Sequence, residues 1–145
     1  MKEISTMVLE LWEQEKLPLI GNLLLADGRL YKNIMSNTAY QCKPFEASSR
    51  DYASWFSHIN VLQSATYQDY LIYCGNGSYG SDGFILVLKA DHSLHWLMID
   101  DINPIERFTI QNGIIHAHNN LKQEFIIPIT VPENYRTINH FLWFT

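Results

Sequence analysis

The sequence predicts an α+β fold: an N-terminal helix and hairpin, a second helix, and then an antiparallel β-meander of about five to six strands. Three observations carry that expectation. Two stretches within the first sixty residues repeat apolar side chains at i, i+3 and i+4, the helical period. From residue 67 onward, short runs rich in aromatic and β-branched residues follow one another across brief turn signals. Connections that short join antiparallel neighbours, because a parallel return needs a crossover of about a dozen residues. The chain has 145 residues, 47% of them hydrophobic, which matches one domain spanning 1–145 with its own core.

The first helix is expected over Ser5–Lys16. Ser5 or Thr6 caps it, Met7/Leu11 and Val8/Trp12 stand one turn apart on one side, and Pro18 stops it. Leu19–Ala26 and Arg29–Met35 then flank Asp27-Gly28, a two-residue hairpin signal. Residues 36–47 read as irregular, broken at Pro44. A second helix is expected over Ser49–Ile59, where Tyr52, Trp55, Phe56 and Ile59 form one stripe; aromatics at that spacing belong in the core. The meander follows as Tyr67–Cys74, Phe84–Ala90, Leu94–Asp100, Phe108–Gln111, Ile114–His118 and Glu124–Thr130, with Asn112-Gly113 as its clearest turn. Pro128 places the last of these at a sheet edge, and 140–144 closes the sheet or docks on it.

Charge narrows the function. Net charge is −5 and unevenly placed: residues 51–106 hold seven acids against Lys89 alone, so that stretch carries −6. Nucleic-acid binders draw most of their non-specific affinity from a basic face, so no nucleic-acid partner is expected. No run reaches the roughly 18 apolar residues of a membrane-spanning helix, and the acidic N-terminal stretch has no signal-peptide core, so the expectation is a cytoplasmic protein with no membrane partner. Cys42 and Cys74 then read as reduced thiols.

Several strings invite a catalytic reading and fail on context. Gly75-Asn76-Gly77-Ser78-Tyr79-Gly80 matches G-x-G-x-x-G, yet it runs into a strand and not into the helix whose N-terminus would meet a pyrophosphate. It reads as a turn. His116-x-His118 puts two imidazoles on one strand face, and His92, His95 or Asp100 would have to complete a metal site. With Lys122 the same pair suggests a two-histidine ribonuclease, but its surroundings are not basic. Ile115 and Ala117 fit a buried opposite face, so surface histidines are the simpler account, and neither a metal nor another cofactor is expected. No G-x-S-x-G elbow or cysteine-nucleophile signature occurs.

The remaining candidate is a protein-binding surface. Asp100, Asp101 and Glu106 lie on one inter-strand loop with Ile102 and Ile105, and Asp82 and Asp91 fall on other turns of the same meander. Together they would make an acidic rim around exposed isoleucine anchors, suited to a basic partner.

The stretch from Gly75 to Leu121, GNGSYGSDGFILVLKADHSLHWLMIDDINPIERFTIQNGIIHAHNNL, resembles small bacterial immunity proteins of polymorphic toxins, including those of contact-dependent growth inhibition, over about a third of the chain. The resemblance implies a cytosolic, non-enzymatic protein that binds and blocks a cognate toxin domain, often a basic nuclease. Two alternatives stay open: a small metal-dependent enzyme built on His116 and His118, and a structural subunit that self-associates through an apolar face. The sequence leaves the oligomeric state unknown.

Overall fold

A computed structural model describes residues 4–35, 40–45, 56–78 and 80–139. The chain is mostly β, with one α-helix and twelve strands among the described residues, and this overturns the expected α+β meander of five to six strands. The helix α1 spans Ile4–Glu13. Strands β1 to β4 span Lys16–Pro18, Asn22–Leu25, Leu30–Met35 and Tyr40–Phe45; β5 to β8 span Phe56–Tyr67, Tyr70–Gly77, Gly83–Lys89 and Leu94–Asp100. Strands β9 to β12 span Ile105–Gln111, Ile114–Asn119, Gln123–Pro128 and Arg136–Asn139.

These strands build two antiparallel sheets. The larger runs β5-β6-β7-β8-β2-β3-β4, with the three-residue β1 added beside β5; the smaller runs β12-β11-β10-β9. One face of the large sheet is covered by α1 and the other by the small sheet, so the layers are helix, sheet, sheet. The consequence is plain in β7. Phe84, Leu86 and Leu88 pack with Val8 of α1, Ile85 and Val87 pack with Phe108, Ile115 and Phe125 of the small sheet, and all are buried. A strand covered on both faces has no reason to alternate, and its sequence reads as a continuous apolar run. The small sheet has one covered face and does alternate: along β10, Ile115 and Ala117 are buried while Ile114, His116 and His118 are partly exposed.

Polar side chains tie the layers together. Trp96 Nε1 donates to the Ile129 carbonyl at 2.9 Å, and Tyr135 Oη donates to Asn22 Oδ1 at 3.0 Å. The Gln63 amide takes both backbone groups of Phe108, with Nε2 on its carbonyl at 2.9 Å and Oε1 on its N–H at 2.8 Å. It thereby caps the outer edge of β9 as a neighbouring strand would. Each buried polar group so satisfied avoids a desolvation cost of about 1–3 kcal/mol.

Several local expectations need correction. Within 36–47, read as irregular, Tyr40–Phe45 form β4 with Pro44 opposite Tyr31 of β3, and the single strand expected over Tyr67–Cys74 is divided by the turn at Gln68 and Asp69 between β5 and β6. The predicted second helix gives way, where it is described, to β5: the chain is extended from Phe56, Phe56 is 39% exposed and Ile59 is buried; Tyr52 and Trp55 lie outside the described residues. The helix α1 ends at Glu13, earlier than expected, with Glu15 in a left-handed conformation (φ 60°) before β1. Asp27-Gly28 is not a two-residue turn, since only Gly28 has positive φ (94°) and its N–H bonds to the Leu25 carbonyl; this is a three-residue loop with a glycine bulge. Pro128 is not on an edge strand either, because β11 lies between β10 and β12. Its missing donor is tolerated at the strand end, since β12 pairs with β11 only as far as Ile126. The expected closing segment 140–144 lies outside the described residues, as does Cys42's side chain.

Candidate functional site: the acidic end of the sandwich

The loops joining β6 to β7 and β8 to β9 meet at one end of the large sheet. Asn103 N–H donates to the Ser81 carbonyl at 2.6 Å, and Gly77 N–H donates to the Asp82 carbonyl at 3.3 Å. Glycines allow that approach. A Cβ on Gly83 would sit 2.0 Å from the Asn103 carbonyl oxygen, and one on Gly77 would sit 2.8 Å from both Asp82 Cβ and Ser57 Oγ. Gly75 is required one step deeper, where a Cβ would meet the Asn60 carbonyl oxygen at 1.8 Å. The first two glycines of the G-x-G-x-x-G string are therefore strand residues, Gly75 pressed against the Asn60 backbone and Gly77 against the Asp82 and Ser57 side chains.

This stitching fixes Asp82. Its side chain is nearly buried, Oδ2 has no hydrogen-bond partner among the described residues, and its pKa is raised, first by burial and then by the negative charges of Asp101 and Asp100. Asp100 uses Oδ1 to accept the Asp101 N–H at 2.8 Å, and Asp101 is exposed. Beside them Ser57 Oγ accepts the Ser78 N–H at 2.9 Å and lies 3.0 Å from Ser78 Oγ. The structure thus brings three of the expected acids together, and Glu106 is exposed near the start of β9.

The other members of the expected surface are elsewhere. Ile102 and Ile105 are 5% and 0% exposed and belong to the core between the sheets, so they are not anchors for a partner. The Ile102 carbonyl is held inward by Asn119 Nδ2 at 2.7 Å. Asp91 sits on the β7–β8 turn, at the opposite end of two seven-residue strands. At the strand rise that is roughly 20 Å from Asp82. Its carboxylate accepts both the Ser93 N–H at 3.0 Å and the Ser93 hydroxyl at 2.6 Å.

The described histidines His116 and His95 are placed apart, with different partners. His116 Nδ1 pairs with Glu124 Oε2 at 2.9 Å on the outer face of the small sheet. His95 belongs to the large sheet: Nε2 meets the Ile129 carbonyl at 2.9 Å, the ring lies 4.9 Å from Tyr70, and burial lowers its pKa. Among the described residues no three His, Cys, Asp or Glu side chains are placed to hold a metal ion. Burial pushes the Cys74 thiol up to about 12, which leaves it unreactive at neutral pH.

Two surface clefts are lined by described residues. One of about 280 Å³ is lined by Asp27, Arg29, His95, Trp96 and Glu133, and one of about 360 Å³ by Trp12, Glu15, Ile59, Asn60 and Val61. Neither contains a nucleophile next to a base. Among the described residues no helix is long and apolar enough to cross a membrane. No protein-family model matches the chain, and neither a curated protein nor a solved structure matches it.

Proposed function

We propose that this chain is a cytoplasmic, non-enzymatic immunity-type protein that binds a basic toxin domain through its acidic end, using Asp82, Asp100, Asp101 and Glu106. One observation carries the reading: Asp82 is nearly buried beside two further aspartates, and among the described residues its Oδ2 has no hydrogen-bond partner and no cation is among the groups that shift it. Like charges held together cost free energy in the free protein, and a partner's lysine or arginine offsets that cost on binding. Asp91, Ile102 and Ile105 have no part in this smaller surface. The resemblance of residues 75–121 to immunity proteins supports the same partner class.

The test is association kinetics with the product of the neighbouring gene at two salt concentrations. Replacing Asp100, Asp101 and Glu106 together by lysine should slow association roughly tenfold or more and flatten its salt dependence, since opposed charges steer encounter. The unfolding midpoint should barely move. Unchanged rates at both salt concentrations would remove this end from the interface.

A further inference from the structure

The cleft of about 360 Å³ beside the end of α1 combines an indole with a carboxylate. Trp12, Glu15, Ile59, Asn60 and Val61 line it. Trp12 is half-buried, and its ring meets Tyr73 at 58° and Phe84 at 70°, so neither ring is stacked on the indole. Val61 leaves 44% of its surface to solvent. Glu15 is the odd member. It follows α1 at the place where glycine usually ends a helix, and it adopts a left-handed φ of 60°, which costs any residue with a side chain free energy. Its charge is also misplaced. The last turn of α1 contains Glu13 and no basic residue, so a second carboxylate stands at the negative end of the helix dipole. Among the described residues no ion pair reaches it: Lys16 Nζ turns away to Gln14 Oε1 at 3.4 Å and to the face of the Phe56 ring at 4.7 Å. The fold gains nothing from a glutamate at this position, whereas a cation entering the cleft would meet its carboxylate and the indole together.

We propose that this cleft is a socket for the guanidinium group of a partner protein's arginine. A flat guanidinium lies against an indole and sends N–H donors to one carboxylate, two demands that Trp12 and Glu15 meet together. The methylene stem of arginine would cover Ile59 and Val61, apolar lining that a smaller cation leaves in water. The socket flanks the acidic end. Ile59 N–H donates to the Glu15 carbonyl, and Ile59 stands opposite Gly77, the residue packed on Asp82. At about 5 Å per strand spacing, the Glu15 backbone is roughly 10 Å from Gly77. One basic surface therefore reaches both, and the socket binds an arginine analogue whether or not the acidic end has a partner.

The test is a titration of the full chain with acetyl-arginine amide, followed by nuclear magnetic resonance at the Trp12 indole N–H, against sodium chloride at equal ionic strength. Loss of the signal in Trp12→Phe assigns it. A saturable shift is expected, with a dissociation constant in the millimolar range. Glu15→Gln should weaken binding about two- to fivefold, and Glu15→Lys roughly tenfold or more. Glu15 is exposed, so both variants should melt as wild type does. Glu15→Gly should weaken binding at least as much as Glu15→Gln while raising the unfolding midpoint, because it relieves the left-handed backbone. Acetyl-lysine amide lacks the flat group and methylguanidinium lacks the stem, so each should bind several-fold more weakly. Replacing Asp100, Asp101 and Glu106 together by lysine should change binding by less than about twofold, since solvent and salt screen those charges. A shift reproduced by sodium chloride, or one indifferent to Glu15→Lys, overturns the socket. So does a loss in the triple-lysine variant as large as in Glu15→Lys, which would make the probe a reporter of net charge. A Glu15→Gly chain that melts below wild type shows the glutamate serving the fold and overturns it as well. Equal binding of acetyl-lysine amide or methylguanidinium overturns arginine as the occupant.

Discussion

The β7–β8 hairpin carries an aspartate at each end, and the two ends treat it in opposite ways. At the turn, Asp91 is exposed, and its carboxylate is held by the N–H and hydroxyl of Ser93, which lower its pKa. It builds a turn in which His92 adopts a positive φ of 68°. At the other end two loops converge on Asp82, burial and two neighbouring aspartates raise its pKa, and one oxygen has no partner among the described residues. Both residues are the same chemical group flanking the same apolar strand. What differs is the backbone around them: a tight turn supplies donors two residues away, whereas two packed loops exclude water and supply more negative charge. A carboxylate that satisfies itself locally has no call on a partner, whereas one left unsatisfied among the described residues is what the proposed basic partner would pair.

The sharpest way to break the loop-packed end is to fill its closest contact. Gly83→Ala directs a methyl group at the Asn103 carbonyl oxygen, 2.0 Å away, with the Ile102 side chain at 3.2 Å behind it. Neither can yield without separating the two loops. Overpacking of this kind should cost about 3 kcal/mol or more in denaturant melts. Gly80 lies in the same connection with nothing within 4 Å of its would-be Cβ, and Gly80→Ala should stay within about 0.5 kcal/mol. Equal losses at the two glycines would mean that the close approach at Gly83 is not what the loop depends on.

An intermediate effect is expected from Asp82→Asn, and its sign identifies this end. A carboxyl whose folded pKa lies above its unfolded value contributes stability below the unfolded pKa of about 3.9, and that contribution is lost as pH rises through the folded value. The neutral amide removes the loss. Asp82→Asn should therefore unfold at higher temperature than wild type near pH 7, with the difference shrinking toward pH 3. A variant less stable than wild type at pH 7 would show that the charged carboxylate has a favourable partner after all.

The same two ends explain how much of the molecule was legible beforehand. Strands β7 and β8 and the Asn112-Gly113 turn were readable, because apolar runs and turn residues act locally; both turn residues do adopt positive φ, 53° and 76°. Strand β5 was not. A bulge at Leu62 switches which side chains face inward, from Ser57 and Ile59 toward the helix side to Gln63, Ala65 and Tyr67 toward the small sheet, so no single period runs through it. Its inward contacts are also partly polar, which removes the usual apolar signal. The gathering of Asp82 with Asp100 and Asp101 followed from strand order. The burial of Ile102 and Ile105 did not, because it depends on the small sheet folding back over the loop that holds them.

The smallest effect belongs to Asp91, and it should have the opposite sign. Its folded pKa is lowered, first by the Ser93 hydroxyl and then by the Ser93 N–H, so its contribution is present above the unfolded value and lost as pH falls through the depressed one. Asp91→Asn keeps one oxygen that accepts from Ser93 and removes only the charge; Asp91→Ala removes both bonds. At pH 7 the expected order of stability is wild type, then Asp91→Asn, then Asp91→Ala; at strongly acid pH Asp91→Asn approaches wild type, while Asp91→Ala, which lacks both bonds at every pH, stays below them. Thermal melts of these two and of Asp82→Asn across pH 3 to 7 give the comparison directly, since the same Asp→Asn change stabilises at one end of the hairpin and destabilises at the other. If both ends shift in the same direction, general relief of negative charge in a chain of net charge −5 governs them, and local geometry does not.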